Sequence, residues 1–167
     1  MMAYVGLGAN LGSRAENLRN AAAQVKASGA VRAKGLRASA IYETEPVGPP
    51  QPRYLNAAIA FETPLEPLAL LDELLRIENA MGRLRTERWG ARLIDLDILL
   101  VDDRVVKSAR LTVPHALLHE RAFALAPLAD LGPGLVHPVR KKTVAELLAA
   151  RPQAERAGVR ALAPLDV

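Results

Sequence analysis

Two aspartates, Asp95 and Asp97, stand two positions apart in the apolar run Ile94-Asp95-Leu96-Asp97-Ile98-Leu99. On a strand the side chains alternate, so both carboxylates project from one side while Leu96 and Ile98 enter the other. Two like charges held this close repel, and one would take up a proton unless a hard divalent cation accepts oxygen from both. An Asp-x-Asp pair by itself is more often a solvated strand edge, but the apolar flanks shift the balance toward a ligand pair. Just upstream, Arg83, Arg85, Arg88 and Arg92 carry planar, fixed-charge forks that match phosphate oxygens as lysine does not. A solvated basic loop pairing with Glu87 would explain the arginines alone. Beside the aspartates they point to Mg²⁺ and the phosphates of a nucleotide. Glu78, on the preceding helix, could hold one arginine in place, although an ordinary helix-edge carboxylate fits its spacing equally well.

Those residues need a frame. Tyr4 to Gly8 reads as a short buried strand, and Ser13-Arg14-Ala15-Glu16 as a capping box opening a helix with Leu18, Ala21, Ala22 and Val25 on its apolar face. Residues 31 to 43 look extended. The proline-rich run from Glu45 to Pro52 suits neither ladder nor helix and predicts an exposed, stiff loop. Tyr54 to Phe61 reads as a strand, Thr63-Pro64-Leu65-Glu66 as a second capping box, and Leu70, Leu74, Ile77 and Met81 as a helical face. Ile94 to Val101 is a strongly apolar strand, followed by a hairpin of Val105-Val106 with Leu111-Thr112-Val113. Short helical pieces broken by Pro127 and by Gly132-Pro133-Gly134 come next, then a terminal helix near Thr143 to Ala150. The order strand, helix, strand, strand, helix, strand predicts an α+β ferredoxin-like sandwich: an antiparallel sheet with helices on one face and additional C-terminal helical segments. No repeat or linker interrupts residues 1–167, which read as a single domain.

Composition narrows the function classes. The 167 residues are 50% hydrophobic and only 4% aromatic, so the core must be aliphatic and each aromatic is informative. With no cysteine, disulfides and thiolate metal sites are excluded. No segment approaches the roughly 20 apolar residues of a membrane span, and a cytoplasmic protein is the expectation. A net charge of +4 suits a nucleic-acid binder or an enzyme acting on polyanionic small molecules. Arginine crowding between Arg76 and Arg92 favours the latter, while Arg140-Lys141-Lys142 reads as a solvated turn, and His119 and His137 as surface residues. Gly6-Leu7-Gly8-Ala9-Asn10-Leu11-Gly12 has the wrong spacing for a dinucleotide or P-loop cradle.

Arg88-Trp89-Gly90-Ala91-Arg92-Leu93-Ile94-Asp95-Leu96-Asp97-Ile98-Leu99 closely resembles the defining motif of the 6-hydroxymethyl-7,8-dihydropterin pyrophosphokinases of folate biosynthesis. The resemblance extends over Tyr4 to Gly12, Tyr42-Glu43-Thr44-Glu45-Pro46, Tyr54-Leu55-Asn56-Ala57-Ala58 and Arg110-Leu111-Thr112-Val113-Pro114-His115, and weakens after about Leu131. It implies transfer of the terminal pyrophosphoryl group of ATP to the pterin hydroxymethyl oxygen, leaving AMP, with two Mg²⁺ ions held by Asp95 and Asp97. Arg83 and Arg92 join the aspartates in catalysis, Arg92 ranking first for direct phosphate contact and Arg83 and Arg85 assisting loop closure. On the ATP side it places Glu78, Arg85, Arg88, Trp89, Arg92, Ile98, Arg110, Thr112, His115 and Arg121. On the pterin side it places Tyr54 and Phe123 as stacking partners, Thr44, the backbone of Val47 and Asn56 as readers of the ring edge, and Trp89. Asn10 and the Pro46 to Pro52 loop help close the site. Ala9, Leu75 and Ala116 depart from the family pattern.

The rivals differ in what they need. A ferredoxin-like RNA-binding module requires exposed aromatics on adjacent central strands in an RNP-type block, and none is present. A ligand-sensing domain needs no paired carboxylates, and an inactive relative would not keep the polar set. The expectation is a monomeric enzyme with ATP and a pterin as its small-molecule partners, and neither nucleic acid nor membrane.

Overall fold

The structure, a computed structural model, describes residues 1–32, 35–45, 52–82 and 93–167. In chain order the first half comprises β1 (Met2–Ala9), α1 (Arg14–Ala27), β2 (Leu36–Ala38), β3 (Ala40–Thr44), β4 (Tyr54–Glu62), α2 (Pro67–Ala80) and β5 (Asp95–Val101). A hairpin of β6 (Val106–Lys107) and β7 (Thr112–Val113) follows, then α3 (Ala122–Leu131), α4 (Val144–Ala149), α5 (Gln153–Ala157) and β8 (Val159–Pro164). The main sheet runs β5-β1-β4-β3-β8, with β2 also paired to β4, and every pairing is antiparallel. Its first four strands have the ferredoxin-like order that the sequence predicts.

Alternation along β1 sorts side chains into two cores. Ala3, Val5, Leu7 and Ala9 join Leu18, Ala21, Ala22 and Val25 of α1 and Leu70, Leu74 and Ile77 of α2. Tyr4 faces the other way, with Ala58 and Ala60 of β4 and Leu125, Leu128 and Leu131 of α3. Burying each of these leucines contributes roughly 1.5–3 kcal/mol, which is what docks the helices. Thus α1 and α2 share one face as expected, and the additional C-terminal segments α3 and α4 take the other. Central β4 is covered on both sides, which explains its weak alternation in sequence.

Several local expectations are corrected. Ser13 precedes α1 but makes no side-chain cap bond. Thr63 Oγ1 accepts the N–H of Leu65 at 3.1 Å, and α2 begins later, at Pro67, with Glu66 before it. Pro67 suits the first helical position, where its missing N–H is no loss. A reciprocal capping box does form at Thr143 and Glu146, which open α4. Pro127 does not break α3 but lies inside it. Leu125 and Leu128 flank it and are fully buried, so packing against the sheet offsets the lost backbone bond. His137 is not a surface residue: it is 5% exposed, and its Nδ1 accepts the N–H groups of Val139 and Arg140 at 3.2 and 3.0 Å. That acceptor holds the 137–142 turn, whose Arg140, Lys141 and Lys142 are exposed as expected. His119 is also largely covered, its side chain 18% exposed and its Nε2 2.7 Å from Arg140 Nη2.

Among the described residues no helix is long and apolar enough to cross a membrane. β8 is an addition with no forecast. Val159-Arg160-Ala161-Leu162-Ala163-Pro164 is mostly exposed, so pairing with β3 rather than burial holds it.

Candidate active site

The pairing register builds the floor of the site. Gly8 of β1 lies opposite Asp95 of β5 on one side and Asn56 of β4 on the other; Gly6 lies opposite Asp97 and Ala58. Cross-strand partners point to the same face, so Asp95, Asp97 and Asn56 rise together from the sheet, with glycines between them. This is the face that α3 covers only in part, and over the glycines it leaves a cavity of about 690 Å³. A Cβ on Gly8 would come within 3.1 Å of Asn56 Oδ1, so the glycine is what keeps the floor clear. Leu96 and Ile98, on the opposite side of β5, are 4% exposed and belong to the core beneath α1 and α2.

The cavity gathers the acidic pair Asp95 and Asp97, His115 and Arg121, and Thr44, Tyr54, Asn56 and Phe123, the four residues that the resemblance assigns to the pterin side. Tyr54 and Phe123 are half-buried rather than core residues. Asn56 is 7% exposed and donates through Nδ2 to Thr44 Oγ1 at 2.8 Å, which fixes the amide's orientation. Arg121 and Phe123 come from the start of α3, with the guanidinium carbon 5.5 Å from the ring centre, close enough for a cation–π contact.

His115 follows β7 and donates its backbone N–H to the carbonyl of Leu99 at 3.0 Å, tying it to the end of β5. Its Nδ1 accepts the N–H of Leu117 at 3.1 Å, so the neutral ring carries its proton on Nε2. Burial, reinforced by the nearby Arg121 charge, holds its pKa below the usual histidine value, while Asp95 pulls the other way. His115 is therefore a neutral donor.

Other sequence-assigned residues lie elsewhere. Glu78 is 2% exposed on α2, and its Oε2 accepts the N–H of Leu96 at 2.6 Å, joining the helix to the start of β5. Arg110 is exposed and pairs with Asp72 of α2 at 2.5 Å, and Thr112 is exposed on β7. Neither Glu78, Ile98, Arg110 nor Thr112 lines the cavity. Arg83, Arg85, Arg88, Trp89, Arg92 and Val47 fall outside the described residues. Asn10 is buried and donates through Nδ2 to the carbonyl of Pro52 at 3.2 Å, linking the β1 turn to the end of the proline-rich segment.

Gly6 and Gly8 were legible as part of the first strand and as a mis-spaced phosphate-cradle pattern but not as a floor, because that role appears only once β1 is set between β4 and β5. Glu155 of α5 also lines the cavity and carried no sequence signal. Among the described residues no three acidic or histidine side chains converge as a closed metal cage. Mg²⁺ does not need one, since it keeps waters and takes one or two carboxylates together with phosphate oxygens. Two carboxylates from alternate positions of β5, facing open volume, fit that ion.

These features describe a small α+β sandwich whose cavity is lined by a pair of carboxylates on β5 and by the aromatic rings of Tyr54 and Phe123. The sequence profile of the 7,8-dihydro-6-hydroxymethylpterin-pyrophosphokinase family matches residues 4–133, and the chain belongs to that family. A relative from Synechocystis is 40% identical over 146 residues, covering 87% of this chain and 74% of that one. One from Haemophilus influenzae is 45% identical over 138 residues, covering 81% and 84%. Both are named 2-amino-4-hydroxy-6-hydroxymethyldihydropteridine pyrophosphokinase. Among solved structures, wild-type Plasmodium falciparum HPPK-DHPS has the same fold, with a TM-score of 0.69 at 16% identity. That match covers 89% of this chain but 40% of the Plasmodium chain, so the present chain spans less than half of that protein.

Proposed function

We propose that the chain transfers the terminal pyrophosphoryl group of ATP to the hydroxymethyl oxygen of 6-hydroxymethyl-7,8-dihydropterin, a step of folate biosynthesis. The observation that carries the reading is the row Asp95, Gly8, Asn56 across three adjacent strands. Two strand spacings, roughly 10 Å, separate the carboxylates from the amide, with only a glycine between them. A flat ring resting on that floor would be read at its edge by Asn56 and Thr44, while its hydroxymethyl arm lies toward the aspartates.

Tyr54 and Phe123 would grip the two faces of the ring, and the fixed Asn56 amide supplies both a donor and an acceptor to its polar edge. Asp95 and Asp97 would hold two Mg²⁺ ions, which supply charge neutralisation on the polyphosphate and lower the proton affinity of the pterin hydroxyl. The hydroxyl oxygen then forms a bond to the β-phosphorus, the bond from that phosphorus to the bridging oxygen on the α-phosphate breaks, and AMP leaves with that oxygen. The hydroxyl proton passes to solvent. His115, neutral with its proton on Nε2, would donate to a phosphate oxygen without adding charge, and Arg121 would balance charge on the same side. The same reading gives Arg92 direct phosphate contact, Arg83, Arg85 and Arg88 charge balance and loop closure, and Glu78, Trp89, Ile98, Arg110 and Thr112 roles around the nucleotide. Val47 and Trp89 would complete the ring pocket. The working form would be a cytoplasmic monomer, a point that size-exclusion chromatography checks.

An RNA-binding role gains nothing from Phe61, the second aromatic of β4, which is 1% exposed beneath the helices. The test is product analysis with ATP, Mg²⁺ and reduced hydroxymethylpterin. AMP should appear in proportion to pterin consumed. Formation of ADP, or no pterin-dependent turnover by folded protein, would overturn the assignment.

A further inference from the structure

Beyond residue 133, where the family match ends, the chain returns to the cavity. Ala154 and Glu155 of α5, with Gly158 and Val159 at the start of β8, form part of its wall. This segment is tethered on both sides. Val159 pairs with Thr44 in the β3–β8 ladder, and Glu155 Oε2 accepts the N–H of Ala122 at 2.7 Å.

Ala122 is the first residue of α3. The preceding Arg121 has an extended backbone, with φ −126° and ψ 100°, and makes no side-chain cap bond. The first N–H groups of a helix have no acceptor within it, so a helix usually recruits a Ser, Thr, Asp or Asn immediately before it. Here the acceptor comes from 33 residues away. Its negative charge also faces the positive end of the helix dipole. Arg121 and Phe123 flank Ala122, both line the cavity, and they contact one another. A bond at Ala122 therefore acts on two cavity side chains together.

A lone carboxylate on the wall of a phosphate site would repel the substrate. Arg151 removes that difficulty, because its Nε and Nη2 reach both Glu155 oxygens at 2.8 to 3.3 Å and leave the pair neutral. What remains is a fixed acceptor aimed at the start of α3.

We propose that Glu155 is a positioning residue: by accepting the Ala122 N–H it fixes the start of α3, sets the directions of Arg121 and Phe123, and so tunes affinity for the pterin ring. The proposal rests on the pterin reading of the same cavity. Glu155→Leu keeps similar bulk but offers no acceptor, whereas Glu155→Gln keeps an oxygen for Ala122 while giving up the charge. The full chain is titrated with reduced hydroxymethylpterin, in the presence of Mg²⁺ and a non-hydrolysable ATP analogue, and followed by pterin fluorescence. Hydrogen exchange at the Ala122 amide and kcat and KM are measured in parallel.

Glu155→Leu should expose the Ala122 amide to exchange and raise the pterin Kd roughly tenfold, the factor expected for one hydrogen bond to a charged group. KM for pterin should rise with it and kcat should change much less. Glu155→Gln should recover most of the affinity. If Glu155→Leu does not fold, Glu155→Asp, whose carboxylate is one methylene too short to reach Ala122, is read in the same way. A variant without the bond that binds pterin as the wild type does, or loses thermal stability alone, overturns the positioning role and leaves the pyrophosphokinase reading intact. Failure of the wild-type chain to bind pterin overturns both.

Discussion

The substitution Gly8→Ala asks whether the glycine floor is what admits the ring. Gly8 has an ordinary backbone conformation, since the positive-φ glycines among the described residues are Gly12, Gly35 and Gly82, so a Cβ adds no backbone strain. The added carbon would lie 3.1 Å from Asn56 Oδ1 and 3.8 Å from Tyr54 Cδ1. The second distance is an ordinary contact; the first requires the amide to retreat by a few tenths of an ångström. Asn56 has little room to do so, because its Nδ2 already donates to Thr44 Oγ1 at 2.8 Å. Crowding of this kind costs about 1 kcal/mol, and replacing Gly by Ala within a strand returns about 0.5–1 kcal/mol, so the stability change should be close to zero. The displaced amide has no such compensation. A shift of a few tenths of an ångström, together with a methyl group in the ring's plane, should raise KM for pterin by roughly five- to tenfold, with kcat much less affected. Steady-state kinetics with pterin varied at saturating ATP measure this, with Gly29→Ala as control, since a Cβ there meets nothing within 4 Å. An unchanged KM, or a loss confined to kcat, would refute the idea that the ring rests over Gly8 against Asn56.

Three further outcomes are expected. Asp97→Asn should reduce turnover by more than roughly 100-fold, the upper end for partners lying outside a metal's direct ligands, while leaving the melting temperature nearly unchanged; residual turnover near wild type would remove Asp97 from the proposed cation site. His115 and His137 are both held below their ordinary value of 6.5, chiefly by burial, so protons bind the unfolded chain first as pH falls. The stability they protect is complete above pH 6.5 and is lost as pH drops through their lower folded values; urea midpoints that stay flat or rise over that descent would contradict the assignment. Tyr42 donates to Asp130 Oδ1 at 2.8 Å and its pKa is pushed up to about 12, by burial first and then by Asp130. With the folded pKa above the unfolded value of 10.0, stability is retained below pH 10 and lost as pH rises toward 12. Tyr42→Phe should remove that alkaline loss and cost about 1 kcal/mol at neutral pH in urea unfolding; an unaltered alkaline limb would show that the bond is not made in solution.

What the sequence revealed, and what it hid, follows from the range of the interactions. The Asp95-Leu96-Asp97-Ile98 alternation specifies its own geometry, because period-two patterning fixes which side chains share a face without reference to any partner strand. The ferredoxin-like order and the family were legible for a related reason: apolar stripes at helical spacing lie within single segments, and the motif around Asp95 is contiguous. The placing of Gly8 between Asp95 and Asn56 was not legible, since it depends on two ladders whose strands are separated by more than 40 residues. β8 was hidden because Ala161 and Ala163 give no apolar alternation and the strand is held by backbone pairing. Pro127 misled for the converse reason, a strong local rule overridden by the burial of Leu125 and Leu128.

The same distinction bears on how such a site can vary. Asp95 and Asp97 are fixed by one strand, so the carboxylate pair tolerates change elsewhere as long as β5 keeps its register against β1. The proposed ring pocket is assembled from β3, β4, the start of α3 and the C-terminal segment, and its precision depends on bonds between those parts. Asn56 to Thr44 joins β4 to β3, Tyr42 to Asp130 joins β3 to the end of α3, and Glu155 to Ala122 joins α5 to its beginning. Each of these bonds comes from a polar side chain reaching across the fold, and each can be removed without touching the aspartates. Substitutions along that chain of contacts should therefore appear first in affinity for the acceptor ring and only later in the rate of transfer.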